Sequence, residues 1–447
     1  MVSATTAGLL ALGLSITVVA PAHADDVTPG TYNTVSPIRV LDTRSGIGAP
    51  QASIAPLATV TFHIPDQLSS RIGAVLLEVT AVSPSSTGYA TVWGAGTPRP
   101  VVSNVNFQKG QNVPNMVVAQ VTSDYNVSIF NGSKGTVDLL ADVQGYFVKG
   151  TNAGDPGTLV PVRPTRLLDT RSGVGAAKAK VAAHSVTKVK ISGLGGVPAT
   201  ASAVAVNITA VNSVGKGYLT VYPGSPRPEV SVVNFDAGQN RANLALEQIG
   251  TDGTISLYNG ASSPVDLLAD VTGYFVGGGS AAADGSYTPS SSVRVVDTRP
   301  AGPGFVPSLA TLKVQIFPAG DPYYSFIKAV AINVTSVGPQ AAGFFTTWDG
   351  TTTVPAVSNV NFQTKHDAAG SIVVPVNEDG TISIYNGSFG NVDMLVDLNG
   401  LFFKLPPVSD PTRTPNAAHG TPTAAQILAH LKGYLATAPQ PTVIAGR

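Results

Sequence analysis

"VDLLADVQGYF", residues 137–147, returns as "VDLLADVTGYF" at 265–275 and as "VDMLVDLNGLF" at 392–402. Its residues alternate: Leu139, Ala141, Val143 and Phe147 fall on one face, Leu140, Asp142, Gln144 and Tyr146 on the other. A period of two belongs to a β-strand, whose successive side chains point to opposite sides. No convincing 3.6-residue periodicity occurs inside any of the three units, so helices are not expected there.

Working outward, Asp142, Asp270 and Asp397 are spaced by 128 and 127 positions. The same interval separates "RVLDTRSGIG" from Arg39, "RLLDTRSGVG" from Arg166 and "RVVDTRPAGPG" from Arg294. Between these ends "LLEVTAV", "AVNITAV" and "AINVTSV" align, as do "VSIFNGS", "ISLYNGA" and "ISIYNGS". Solenoids and propeller blades repeat at roughly 20–50 residues; this interval has the size of a whole domain. The segments are short, rich in Val, Ile, Thr, Tyr and Phe, and bounded by Gly, Pro, Asn and Asp, with Asp-Gly pairs ahead of two strands. The prediction is an all-β chain of three tandem antiparallel β-sandwich domains at 30–149, 158–277 and 286–404, with a small barrel per unit as the alternative. Gly/Ala/Asp-rich stretches between units read as linkers, which predicts that each unit folds independently.

The flanks differ in composition. Residues 1–24, with an apolar run from Ala7 to Val19 and small residues Ala22–Ala24, read as a secretory signal peptide. Residues 405–420 read as a Pro/Thr-rich linker and 421–438 as an amphipathic helix, with Thr421 as N-cap, Pro422 in the first turn and Ile427, Leu428, Leu431 and Leu435 on one face. That helix is expected to dock in cis on the third unit or on a protein partner.

The 26 basic and 26 acidic residues balance, so no electrostatic footprint for nucleic acid exists. Beyond the signal, no run reaches the roughly 18 apolar residues of a membrane span, and the mature chain is expected to lack a transmembrane segment. The expected location is secreted or extracellular, with at most non-covalent attachment to the cell surface. Cysteine is absent even though a secreted location would permit disulfides, so stability must come from core burial.

The ordered motifs "R-x-x-DTR", "VNxTAV", "GYxTVYP", "SxVNF", "GQN", "YNG" and "DVxGYF" resemble a tandem β-domain repeat of secreted actinobacterial proteins, a family without assigned chemistry. The resemblance covers about 370 of the 447 residues. Two departures stand out: Glu78 occupies the place of Asn207 and Asn333, and "KHDAAGS" replaces "GQNRAN" in the third unit. Were a ligand bound at those positions, the units would bind it unequally.

Two constellations are candidates for function. The first is a charge cluster present in every unit: Arg39, Asp42, Arg44, Asp138 and Asp142; Arg166, Asp169, Arg171, Asp266 and Asp270; Arg294, Asp297, Arg299, Asp393 and Asp397. Simple alternation puts Val40, Asp42 and Arg44 on one side of a strand and Arg39, Leu41 and Thr43 on the other. A guanidinium matches a carboxylate with two parallel hydrogen bonds, so the cluster reads as an interstrand Arg–Asp pair, with Arg44 and Asp142 as its test positions. The competing reading, a glycoside hydrolase using an Asp42/Asp142 pair, requires a raised acid pKa that neighbouring arginines oppose.

The second constellation is aromatic. "YATVW", "YLTVY" and "FFTTW" place Tyr89 and Trp93, Tyr218 and Tyr222, and Phe344 and Trp348 at i and i+4, on one face of a strand. Such a face is either a platform for stacking sugar rings or part of the core. Without a cysteine, a histidine position shared between units or a metal-ligand spacing, neither catalysis nor a cofactor is expected. The functional expectation is a non-enzymatic extracellular protein that binds or decorates the cell envelope or an extracellular polysaccharide. The alternative is a carbohydrate-binding accessory module using the aromatic platforms.

Overall fold

The computed structural model describes residues 29–150, 156–277, 284–299, 304–318, 320–404, 422–436 and 442–444. The expected signal peptide and the 405–420 linker lie outside the described residues. The first unit contains β1 (Gly30–Asp42), β2 (Thr59–His63), β3 (Ile72–Val82), β4 (Gly88–Gly94), β5 (Val105–Phe107), β6 (Val113–Gln120), β7 (Asn126–Asn131) and β8 (Asp138–Lys149). The second contains β9 (Leu159–Asp169), β10 (Val186–Lys190), β11 (Ala201–Val211), β12 (Gly217–Tyr222), β13 (Val233–Phe235), β14 (Arg241–Gln248), β15 (Thr254–Asn259) and β16 (Asp266–Val276). The third contains β17 (Ser286–Asp297), β18 (Thr311–Gln315), β19 (Ile327–Val337), β20 (Gly343–Trp348), β21 (Val360–Phe362), β22 (Ala368–Pro375), β23 (Thr381–Asn386) and β24 (Asp393–Phe403).

The chain is all-β apart from one short α-helix and two 3-10 turns among the described residues. Each unit is an antiparallel sandwich. In the first, an inner sheet of order β1-β8-β3-β6 faces an outer sheet of order β2-β7-β4-β5. The second and third units repeat both orders, and first and last strands are neighbours in every inner sheet. This is the winding of a double-sheet jelly roll. Each unit encloses its own core; in the first, Val60 and Phe62 of β2 and Ala90 and Val92 of β4 meet Val75, Leu77 and Val79 of β3.

The inner sheets differ from the outer in being covered on both sides. Every residue of β3 is buried, because a fourth hydrophobic cluster takes side chains from all three units: Tyr32 and Phe147, Leu159 and Phe275, Tyr287 and Phe402, with Leu76, Leu244 and Val373. The pairs Tyr32 and Phe147, Leu159 and Phe275, and Tyr287 and Phe402 are matched positions of the repeat, arranged about a pseudo-threefold axis. The first strands join there. Tyr32 N donates to Gly157 O at 2.8 Å, Leu159 N to Gly285 O at 2.9 Å, and Gly30 pairs with Tyr287, which merges the inner sheets of the first and third units. Gly157 and Gly285 have φ of +90° and +108°, and a Cβ on either would sit 2.1 Å from a backbone oxygen of the preceding unit, so only glycine fits. The expectation of independent beads is therefore corrected: three cores share a fourth.

Strict alternation also fails at two places, both through β-bulges. In β8 the register against β3 slips between Val143 and Gly145, which leaves Gln144 as the extra residue. Leu139, Ala141 and Val143 enter the first core, but Phe147 turns to the axis and Tyr146 packs on the core instead. Gly145 is required there because the Tyr32 ring lies against it, 2.5 Å from where a Cβ would stand. In β1 a slip between Arg39 and Leu41 brings Val40 and Leu41 both into the core and puts Arg39 and Asp42 on the same side.

The C-terminal helix α1 (Ala424–Leu435) starts later than expected. Its N-cap is Thr423, not Thr421: the Thr423 hydroxyl accepts from Gln426 N while the Gln426 side chain accepts from Thr423 N, a reciprocal box that outcompetes a start at Pro422. Ile427, Leu428 and Leu431 are buried in the third unit's core, so the helix docks in cis. His430 Nε2 meets the buried Asp321 carboxylate, and its ring lies 4.6 Å from that of Tyr323. A short strand, β25 (Thr442–Ile444), which the sequence did not suggest, pairs with the edge strand β18.

Candidate functional site

The charge cluster lies between the first and last strands of each unit. Arg39 Nε and Nη2 donate to the two oxygens of Asp142, each at 2.8 Å, and its Nη1 reaches Asp42 Oδ2 at 3.3 Å. Arg44 pairs with Asp42 rather than Asp142, through Nε at 2.9 Å, Nη2 at 2.7 Å and its backbone N at 3.0 Å. Thr43 Oγ1 donates to Asp138 Oδ1 at 3.0 Å and accepts from Leu139 N at 3.1 Å. Arg166, Asp169, Arg171, Thr170, Asp266 and Asp270 repeat the pattern in the second unit. Arg294, Asp297, Arg299, Thr298, Asp393 and Asp397 repeat it in the third. The tight "DTRSGIG" turn returns on its own strand, with Asp42 N donating to Ile47 O at 2.9 Å.

Hydrogen bonds from Arg44, Arg171 and Arg299 hold Asp42, Asp169 and Asp297 below the usual carboxylate range. Burial pushes Asp270 up and Asp397 up to about 6, against the pull of Arg166 and Arg294. In every unit a guanidinium ties the two carboxylates together, which leaves no room for a water or a sugar ring between them. The arrangement clamps strands.

The aromatic positions lie on the outer face of the outer sheet, while the intervening Ala90 and Val92 point into the core. They do not form flat platforms. Tyr222 and Trp348 are only 6% and 4% exposed, whereas Tyr89 and Tyr218 are 36% and 37% exposed; Trp93 and Phe344 are half-buried. The loop after β4 folds back over this face: Thr91 Oγ1 donates to Val102 O at 2.6 Å, and Trp93 Nε1 to Thr97 O at 3.1 Å. Trp348 Nε1 likewise reaches Thr352 O. Tyr89, Tyr218 and Phe344 lean on Gly132, Gly260 and Gly387, where any Cβ would strike the ring. Arg99 stacks 3.6 Å above Phe130 and Arg227 3.7 Å above Tyr258, the rings beside Tyr89 and Tyr218.

The two constellations come together across a seam between units. A cleft of about 760 Å³ opens between the first and second units, lined by Arg39 and Arg44 on one wall and by Lys216, Tyr218, Arg227 and Glu229 on the other. Its size is that of a small-molecule or oligomer subsite. At the corresponding seam of the third and first units, Arg294 Nη2 donates directly to Val101 O at 3.3 Å and bridges the gap. Lys216, Arg227 and Glu229 were not singled out in the sequence; the recurrence of Arg-Pro at 99–100 and 227–228 was the signal available.

Glu78, Asn207, Asn333 and Ser371 are buried in the same seams, whereas Lys365 and His366 of the "KHDAAGS" segment are exposed. Asn333 Nδ2 donates to Ser103 O of the first unit at 2.8 Å, and Asn207 Nδ2 donates to Ser358 O of the third. Glu78 Oε1 accepts from Asn243 Nδ2 of the second unit at 2.8 Å. In the "KHDAAGS" segment, Ser371 N donates to Asn115 Oδ1 at 3.3 Å. These residues join units; the expectation that they would grade ligand binding is replaced by that role. The Asp-Gly turns are likewise self-contained, with Asp252 paired to Lys188 at 2.7 Å and Asp379 to Lys313 at 2.6 Å.

No family model and no curated protein matches the chain. Among solved structures it is similar to one described as "The Triple Jelly Roll Fold and Turret Assembly in an Archaeal Virus", at 10% identity and a TM-score of 0.17, over 88% of this chain and 98% of that one. A second, "Life in the extremes: atomic structure of Sulfolobus Turreted Icosahedral Virus", shares 10% identity at a TM-score of 0.17, over 84% and 91%. At these values neither likeness bears on function.

Proposed function

We propose that this chain is a secreted, non-catalytic protein of the actinobacterial repeat type that binds an extracellular or cell-envelope polysaccharide, with the cleft between the first and second units as its glycan site. The cleft is the observation that carries this reading. Its lining alternates guanidinium, ammonium and carboxylate groups around one half-exposed phenol ring. Hydroxyl-rich ligands are matched by such a wall: charged groups bond pairs of hydroxyls, and the Tyr218 ring receives an apolar sugar face. The arginine-clamped carboxylates speak against hydrolysis, because Asp42 is kept ionised by Arg44 and Arg39, whereas a general acid needs a raised pKa. The platform alternative survives at Tyr218, the one aromatic candidate that lines this cleft.

The test is retention on isolated cell walls and on a panel of soluble glycans. A positive glycan should lose at least about tenfold in affinity, about 1.4 kcal/mol, with the double variant Tyr218→Ala/Glu229→Ala while Tm stays within a few degrees. Failure of the wild-type chain to bind any wall or glycan would overturn the reading. Binding that the double variant leaves unchanged would move the site elsewhere.

A further inference from the structure

Glu78 has no exposed surface. It stands on β3 directly across from Asp142 on β8, where the other units set Asn207 against Asp270 and Asn333 against Asp397. One carboxyl oxygen accepts from Asn243; the other, Oε2, is buried and has no hydrogen-bond partner. In the other two units the atom in that place is an amide nitrogen, and it donates to a backbone carbonyl across the seam, at Ser103 or Ser358. By the correspondence of the repeats, Ser231 of the second unit is the counterpart of Ser103 and Ser358; it lines the cleft together with Thr80, two residues along β3 from Glu78.

We propose that Glu78 is a neutral carboxylic acid in the folded protein, its Oε2 proton replacing the amide donor of Asn207 and Asn333 toward Ser231 O, so that the joint beneath the cleft is acid-closed and weakens as pH rises. An ionised Glu78 would place a second carboxylate against Asp142, with both groups buried from solvent. The surrounding groups oppose ionisation or are already engaged. From β8 comes Asp142, which takes two of the three hydrogen bonds of Arg39 on β1, the third going to Asp42; from β14 comes Asn243, already donating. Burial also works against the charge of Arg241, two residues along β14, and pushes it down to about 10. Burial first, and the Asp142 charge second, drive Glu78 well above the carboxylate range.

The sign follows from linkage. A carboxyl whose folded pKa is raised stabilises the fold fully below its unfolded value, about 4.3, and that contribution is lost as pH rises toward the folded value. Glu78→Gln supplies a permanent donor of the same shape. Its melting temperature should equal that of the wild type near pH 4 and exceed it by about 4 °C or more at pH 9. Infrared spectra of the wild type at pH 8, above the titration of Asp397, should contain a protonated-acid carbonyl component that is missing from Glu78→Gln, over and above the acid of Glu247, which burial pushes up to about 8 in both proteins. A variant that melts below the wild type at pH 9, or by a pH-independent difference, would overturn the proposal. Should the variant not fold, absence from the wild type at pH 8 of any acid component beyond that of Glu247 would overturn it equally.

Discussion

The inner and outer sheets of each unit are built from similar residues, yet they live in different surroundings. The outer edge strand β2 is buried on one side only, with alternate residues exposed, while the outer strands beside it are covered on their second side by loops of their own unit. Inner strands such as β3, β11 and β19 are covered on both sides, by their own core and by the neighbouring units. The difference teaches that the repeat is half a solution to its own folding. A single unit can close one core, but its inner sheet then presents an apolar face containing Leu244, Leu246 and Phe275 that only two more copies can cover.

The strongest way to break this comparison is to express residues 158–277 alone. The isolated unit is expected to aggregate or to melt without cooperativity, because its axial face is stripped of partners; a sharp, reversible, monomeric transition would restore the view of independent domains. Next in size are single substitutions in the inner sheet. Phe147→Ala at the axis and Asp142→Ala in the Arg39 clamp should each cost about 3–5 kcal/mol in denaturant unfolding, the first through a cavity and the second through a guanidinium stripped of its two short bonds and left with the longer one to Asp42. Values near zero for Phe147→Ala would mean that the axis is not a true core.

Acid sharpens the comparison further. Asp42, Asp169 and Asp297 have depressed folded pKa values, so their contribution is full above the unfolded value of about 3.9 and disappears as pH falls through the folded ones. Thermal melts below about pH 4 should therefore lose stability, and Asp42→Asn should flatten the first unit's share of that loss. The smallest effect is expected for Arg44→Ala, about 1 kcal/mol or less, since Arg44 is half-exposed and Asp42 keeps its bond to Arg39. A loss as large as that of Asp142→Ala would show that the turn, not the strand clamp, holds β1 in place.

Much of the fold could be read from local pattern. The strand character of "VDLLADVQGYF" and the sandwich class follow from side-chain period and turn residues, which are properties of neighbouring positions. Reading stopped where an extra residue shifted the phase. Gln144 reverses the side on which Phe147 falls, and Val40 brings Arg39 to Asp142 in place of Arg44. Bulges are invisible to alternation because both strands look regular until they are paired. For the candidate site the aromatic residues were legible, but their cover was not: the loop that buries Trp348 makes its contacts through backbone carbonyls, which carry no residue signature.

The chain's residues by themselves determined that three copies of one β-unit follow each other, that arginine and aspartate recur together in each, and that an apolar helix follows the last. Tertiary structure alone decided that the copies close around an axis, that Glu78 and the two asparagines meet neighbouring units rather than a ligand, and that a cleft opens at one seam while Arg294 bridges another. The physical reason is range. Strand period and turn chemistry act between residues a few positions apart, whereas burial on a second face depends on surfaces that exist only after each sheet has formed and the units have docked.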